Sequence, residues 1–292
     1  MVVPDELTLA DAWEETLNGD RSFYRGPDGD PYRHFATDIA DSAEILPLIH
    51  ELLAFAGNCD DGPLTVVDVG SGAGGLLARL AMVGTNVQLI GVDLRPRPTG
   101  LDAAIEWITG DARVVAGEIL GIRGVVVAHE FLDDIPCAAV EVDEDGRPRL
   151  IRVDPSSRRL VVGEPLEDPA DLAWLDRWWP VTRPFMRAEI GRSRDAAWAM
   201  ITGMLDSGAA LAIDYGHTRP ERLGGTWDGG TLVGYHEGRV VTPVADGSCN
   251  LTAHVAIDSV AEAAPRAQST RIDHWSSAPG RADFVSLVQT FT

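Results

Sequence analysis

VVDVGSGAGG, residues 66–75, decides the fold. The run LTVVDV, 64–69, is continuously apolar but for Asp68, and Gly62-Pro63 before it and Gly70 after it mark its ends. Such a run suits a parallel strand covered on both faces. Leu76, Leu77 and Leu80 then recur at helical spacing, which predicts a helix over 74–82. Between strand and helix stand Gly70, Gly72 and Gly74. Glycine lets the backbone approach a ligand without a Cβ in the way. The first turn of the helix offers N–H groups that have no partner in the helix itself. A glycine-rich turn alone means little; with a buried strand before it and a helix after it, the pattern points to a nucleotide-type ligand.

Outward from this bend the same alternation continues. Apolar runs at 87–93, 105–109, 124–130 and 208–216 predict further buried strands, and 45–55 predicts a helix with Ile45, Ile49, Leu52 and Leu53 inward. Strands alternating with helices predict an α/β fold, a doubly wound, mostly parallel Rossmann-like sheet. Residues 8–17 read as an amphipathic helix capped by Thr8, and 21–38 as an irregular segment rich in Gly, Pro and Asp. After Pro136 the character changes. Residues 138–154 alternate apolar and polar about Asp145-Gly146, a hairpin signal, and 160–162 adds a strand. Residues 168–206 are Trp-rich and helical at both ends. Ser259 and Glu262 have the spacing of a capping box that opens a late helix. The expected organisation is an N-terminal helical segment over 1–60, a core from 61–137 and 191–292, and an inserted hairpin and helical subdomain over 138–190.

The net charge of −21 over 292 residues argues against a nucleic-acid partner, because neutralising phosphates takes clustered cations. Acidity of this size favours solubility, and it can also attract a basic partner or a cationic cofactor. No apolar run approaches the ~20 residues that span a bilayer. Asp5 and Glu6 stand where a signal peptide would be basic and then apolar. The expectation is a cytoplasmic protein with no membrane partner. Cys59, Cys137 and Cys249 are isolated, so neither a disulfide framework nor a metal cluster is expected.

Asp93 closes the second strand, 23 positions after Gly70, where an acid can accept both ribose hydroxyls. That spacing fits a nicotinamide dinucleotide and S-adenosyl-L-methionine alike. Asp68, just before the glycines, favours the second, since a carboxylate there attracts an amino group or sulfonium and repels a pyrophosphate. Asp111-Ala112 follows the third strand. Asp111 can receive the adenine amino group, or it can simply cap a helix before Val114. The fourth strand runs into AHEFLDDIP, 128–136, placing His129, Glu130, Asp133 and Asp134 at the carboxyl end of a strand, where open α/β sheets bind ligands. Glu130 could hold a guanidinium through two parallel hydrogen bonds. The plainer alternatives are helix capping by Asp133 or Asp134 and a core role for His129. IDYGH, 213–217, closes another strand with Asp214, Tyr215 and His217. His236 and His254 are weak signals by themselves.

FYRGPDGDPYRHFATD, VVDVGSGAGG, VVVAHEFLDDIP, AIDYGH, GTLVGYH and NLTAHV stand in the order seen in the MidA-like S-adenosylmethionine-dependent methyltransferases, and the chain resembles that family over about residues 8–270. The family includes mitochondrial arginine methyltransferases that assist assembly of respiratory complex I. The resemblance implies a seven-stranded methyltransferase sheet with inserted elements, S-adenosyl-L-methionine as cofactor, and a protein arginine as acceptor. It implies that Gly70, Gly72 and Gly74 line the methionine part, that Asp93 takes the ribose, and that Asp111 and Ala112 lie at the adenine. His129, Glu130, Asp133 and Pro136 match one family motif and Asp214, Tyr215 and His217 another. On the mechanism, the expectation is that Glu130, with or without Asp133, orients a guanidinium while His129 or His217 takes the proton. Thr37 falls in a segment like the family's lid over the cofactor. The chain departs from the family pattern at Asp68, Ser71, Ala73 and Asn250, and in the tail after Gln268. Two rivals follow. One is a cofactor-binding assembly factor without turnover. The other is a nicotinamide-dependent oxidoreductase, which the complete absence of lysine from the chain disfavours because no Tyr-xxx-Lys pair can exist.

Overall fold

Five strands realise the alternating pattern, β1 (Thr65–Val69), β2 (Gln88–Asp93), β3 (Ile105–Thr109), β4 (Ile122–His129) and β5 (Leu205–His217), and two more extend the sheet, β6 (Ser269–His274) and β7 (Phe284–Phe291). The structure, a computed structural model, describes residues 7–19, 45–59, 62–84, 86–274 and 284–292. The strands lie in the order β6-β7-β5-β4-β1-β2-β3. From β3 to β5 all neighbours are parallel, while β7 runs antiparallel to β5, and β6 to β7. Every residue of β1 is buried, as its unbroken apolar run requires. The chain winds outward from β1 through β2 to β3, then returns to place β4 on the other side of β1. This is the topological switch point at which such sheets leave a crevice at the strands' carboxyl ends.

One face of the sheet is covered by the helix Ile45–Cys59 through Ile45, Ile49, Leu52 and Leu53, and by the helix Gly75–Val83 through Leu76, Leu77 and Leu80. These pack with Val66, Val125, Val127, Leu211, Ile213 and Phe284 into one core. Beneath β7 the helix Arg192–Gly203 supplies Trp198, whose indole N–H donates to the fully buried Gln289 at 2.7 Å. The Gln289 amide nitrogen in turn donates to the Ala261 carbonyl and the Thr270 hydroxyl. A buried amide in mid-strand is tolerated because each of its atoms is paired.

The chain divides into two compact units: Thr37–Leu132, Asp195–Tyr215 and Val260–Thr292 in the unit of this sheet, and Met1–Ala36, Asp133–Arg194 and Gly216–Ser259 in the other. In the second unit an antiparallel sheet orders Leu7–Thr8, Pro148–Val153, Ala138–Val142 and Arg187–Ile190, with Leu160–Pro165 also paired to Pro148–Val153. The Thr8 hydroxyl accepts from Asp11 N at 3.0 Å and caps the helix Leu9–Asn18, which buries Leu9, Trp13 and Leu17. Those side chains share one cluster with Cys137, Ile151 and Val153 and with Ala245, Cys249 and Leu251. That shared cluster is why 216–259, which the sequence alone assigns to the core, groups with the hairpin of 138–154. A second cluster forms where Trp174, Leu175 and Trp179, at and just beyond the helix Pro169–Trp178, pack on Ala188 and Ile190.

Several details differ from the sequence reading. The late helix is Ile257–Glu262, so Ser259 lies inside it and does not cap it. Asp258, in its first turn, accepts Arg219 N at 2.6 Å. No helix follows Asp133 or Asp134, which sit in a turn, so capping is not their role. The segment 21–38 lies outside the described residues.

Candidate functional site

The glycine bend is clasped to the end of β2. Gly70 N and Ser71 N both donate to the Val92 carbonyl, at 2.9 and 3.1 Å. The Ser71 hydroxyl donates to the Asp68 carbonyl at 2.6 Å and accepts Val92 N at 3.2 Å. Gly70, Gly72 and Gly74 have φ of 72°, 60° and 76°. These left-handed conformations are open to glycine at little cost, and Gly74 then serves as N-cap of the helix Gly75–Val83. Gly72 N donates to Asp93 Oδ2 at 2.7 Å, so the acid 23 positions after Gly70 does meet the bend.

Asp93 has further partners that sequence reasoning missed. Its Oδ1 accepts Arg95 N at 2.8 Å and Arg95 Nε at 3.1 Å. The Arg95 guanidinium also lies 3.2 Å from where a Cβ on Gly72 would stand. The available signal was a cation two residues after the strand-ending acid. Asp111 sits beyond β3, where Gly110 N donates to the Asp93 carbonyl at 2.9 Å. Asp111 is the N-cap of the short helix that begins at Ala112: its Oδ1 accepts Arg113 N at 2.9 Å, and its Oδ2 pairs with Arg113 Nη2 at 2.6 Å. Burial pushes the Asp111 carboxyl up, but the hydrogen bonds and charge of Arg113 outweigh it and hold it below its ordinary value. Asp68 differs. Burial, opposed by the Ser71 hydrogen bond and reinforced by the nearby Asp93 charge, pushes its carboxyl up to about 7.

At the end of β4 the chain bends sharply over the glycines. Glu130 has φ 47°, a left-handed conformation that costs a non-glycine residue about 1–3 kcal/mol and recurs at functional sites. Glu130 N donates to the Ile213 carbonyl, and Leu132 N to Asp214 Oδ2, both at 2.8 Å. Asp214, fully buried, thus anchors the bend from β5, whose register sets Ile213 opposite His129. The Phe131 ring packs so closely on Gly70 that a Cβ there would lie 2.8 Å from it. His129 Nε2 stands 3.5 Å from Glu130 Oε1, and both side chains keep some exposure, 11% and 17%.

Asp68, the three glycines, Asp93, Asp111, Ala112, His129, Glu130 and Asp214 therefore gather at the carboxyl rim of one sheet. Asp133 and His217 belong to the other unit and have their own partners there. The Asp133 carboxylate accepts the Thr252 hydroxyl at 2.7 Å, and Asn250 donates to Asp134 at 2.9 Å, tying DDIP to NLTAH. Arg194, 1% exposed, donates to the carbonyls of Asp133, Ile135 and His254. His217 is fully buried against Trp179, with Arg222 Nη1 2.8 Å from its Nδ1. Thr37 lies outside the described residues.

The donor set suits an adenosyl cation. Asp68 is buried just before the backbone bend, Asp93 accepts Gly72 N within it, and Asp111 caps the short helix after β3. A protein family described as "Putative S-adenosyl-L-methionine-dependent methyltransferase" matches residues 87–274, more than half of the chain. The chain belongs to that family. Its cofactor is S-adenosyl-L-methionine. No curated protein sequence matches this methyltransferase. Among solved structures it resembles a protein from Burkholderia thailandensis bound to S-adenosyl-homocysteine, with 20% identity, a TM-score of 0.75, and 98% of this chain and 88% of that one covered. A native structure of a protein from the same organism gives 19%, 0.74, 98% and 87%. The plantazolicin methyltransferase BamL, in complex with a triazolic desmethylPZN analog and SAH, gives 9%, 0.50 and 97% of each chain. Likeness at these identities shows the fold: a methyltransferase α/β sheet with inserted elements.

Proposed function

We propose that this methyltransferase acts on a protein arginine side chain and that Glu130 holds the guanidinium. The observation that carries the reading is the left-handed bend at Glu130, laid over the glycines by Phe131 and fixed from behind by Asp214. It places a partly exposed carboxylate at the rim where the cofactor's carboxylates gather. A carboxylate there can accept two parallel N–H bonds from a guanidinium, which fixes the plane of the acceptor and leaves a third nitrogen to react. When bound, S-adenosyl-L-methionine supplies an activated methyl carbon on its sulfonium. The nitrogen–carbon bond forms as the sulfur–carbon bond breaks, and the acceptor loses one proton. His129, beside Glu130, is the titratable neighbour able to pass that proton on. The resemblance of HEFLDDIP to the arginine methyltransferase motif supports the same assignment, and the net charge of −21 suits a basic protein substrate.

Incubation with labelled S-adenosyl-L-methionine and cell lysate tests the reading, followed by mass spectrometry for methylated arginine. Glu130→Gln keeps its affinity for S-adenosylhomocysteine and loses turnover by about 10²-fold or more. Donor that binds and is never consumed would overturn the reading in favour of an assembly factor without turnover. Methylation on another side chain would overturn the choice of acceptor.

A further inference from the structure

His217 raises the question of where the acceptor's proton goes. Its ring lies in the second unit, edge-on to Trp179 at 4.7 Å and beside Trp227 and His254 at 5.5 and 6.2 Å between centroids. Nδ1 meets Arg222 Nη1 at 2.8 Å, and the same nitrogen donates to the His217 carbonyl at 3.0 Å. A guanidinium has donors only. Nδ1 must therefore accept, and in the neutral ring the proton sits on Nε2. Nε2 is buried and has no hydrogen-bond partner among the described residues.

Arg222 is itself held from several sides. Its Nη2 makes two bonds to Asp258, at 2.7 and 3.0 Å, and its Nε donates to the Trp178 carbonyl at 2.9 Å. Asp258 also accepts Arg219 N, which ties it to the start of the helix Arg219–Leu223 that carries Arg222. The Arg222 side chain has no exposure, so its geometry is not that of a free surface cation.

We propose that Arg222, braced by Asp258, is a positioning residue that locks His217 as the neutral Nε2–H tautomer, so that His217 acts as a hydrogen-bond donor and not as the base of methyl transfer. The charged and titratable groups facing the ring are consistent with it. Burial and the neighbouring Arg222, His254 and Arg194 all act against protonation and hold the imidazole well below its ordinary value. The anions around Arg222 are engaged elsewhere than on the ring: Asp258 is paired with Arg222 itself, and Glu221 accepts from Thr218. The proposal deepens the reading of the protein as an arginine methyltransferase. It takes His217 out of the proton path and leaves the end of β4, His129 and Glu130, to carry it.

The test uses the full chain with ¹⁵N-labelled histidine and long-range ¹H–¹⁵N correlation, with the His217 signal assigned by its loss in His217→Gln. The expected result is an unprotonated Nδ1 and a protonated Nε2, unchanged between about pH 5 and 8. Arg222→Met should release the ring to average between tautomers and to titrate in that window. A wild-type ring that carries its proton on Nδ1, or that titrates in the window, overturns the proposal even if Arg222→Met fails to fold. So does an Arg222→Met ring that keeps the wild-type pattern. In the lysate methylation assay, His217→Gln retains an N–H donor and should lose about tenfold or less, with the pH profile of the wild type. Loss of ~10²–10⁴-fold with a flattened profile is the mark of a missing base and overturns it. Absence of methylation in wild type defeats the arginine reading alone, since the tautomer is read without turnover.

Discussion

The Asp68 carboxyl makes the stability of the ligand-free protein depend on pH in a direction opposite to that of most acids. Its ordinary value is 3.8, and burial at 4% exposure raises it to about 7 in the folded chain. Between those values the unfolded chain has lost the Asp68 proton and the folded chain still holds it, so stability falls as pH rises. A rise from 3.8 to about 7 corresponds to about 4 kcal/mol of stability, fully present below about pH 4 and fully lost above about pH 7. Asp68→Asn cannot ionise. Denaturant unfolding of both proteins from pH 4 to pH 8 should show the variant gaining on wild type by up to about 4 kcal/mol across the window. A constant difference between the two curves would refute the burial argument. The cofactor adds a second reading of the same group. A sulfonium or amino group placed at Asp68 draws off its proton, so affinity for S-adenosyl-L-methionine should climb up to pH 7 and then level. Calorimetry at pH 6 in buffers of different ionisation heat should detect the released proton in wild type and none from this site in Asp68→Asn. Equal proton release in both would remove Asp68 from the cofactor.

Asp93→Ala removes the acceptor assigned to both ribose hydroxyls and should weaken S-adenosylhomocysteine by about 100-fold, counting about 1.5 kcal/mol for each hydrogen bond to a charged group; an unchanged dissociation constant in calorimetry contradicts the assignment. Arg95→Met keeps the backbone bond to Asp93 but removes the guanidinium bonds to its two oxygens, so the same titration should show tighter binding, and weaker binding would mean that Arg95 helps hold the cofactor. Gly124→Ala places a Cβ 2.0 Å from the Thr65 carbonyl oxygen of the neighbouring strand and should cost at least about 3 kcal/mol in denaturant unfolding. Unfolding like that of wild type would show that β1 and β4 can separate without loss.

The parts legible in the sequence are those whose signals are local. LTVVDV announces β1 because a strand buried on both faces needs an unbroken apolar run, and the glycines announce the bend because no other residue sits there without strain. Asp93 could be found by its spacing. The last strand could not be read this way. FVSLVQTF carries Ser286 and Gln289 on buried positions, and Gln289 is tolerated only through Trp198, Ala261 and Thr270, all remote in sequence. Arg194 reads as one of several interspersed charges, yet it is buried among carbonyls 59 to 61 positions away. Asp214 and Asp133 were recognised as a catalytic type of residue, but the backbone N–H and hydroxyl that engage them come from segments more than 80 positions distant.

The path of the chain has a consequence for its synthesis. The sheet unit draws on three separate stretches, and one of its inner strands, β7, comes from the last of them. β5 therefore waits for its antiparallel neighbour until residues 218–283 have been made. Because the stretches of the two units alternate along the chain, no cut at a single point yields one of them whole. Over that interval the apolar edge of β5 is open to pairing with the wrong strand, a hazard set by the order in which the chain is made.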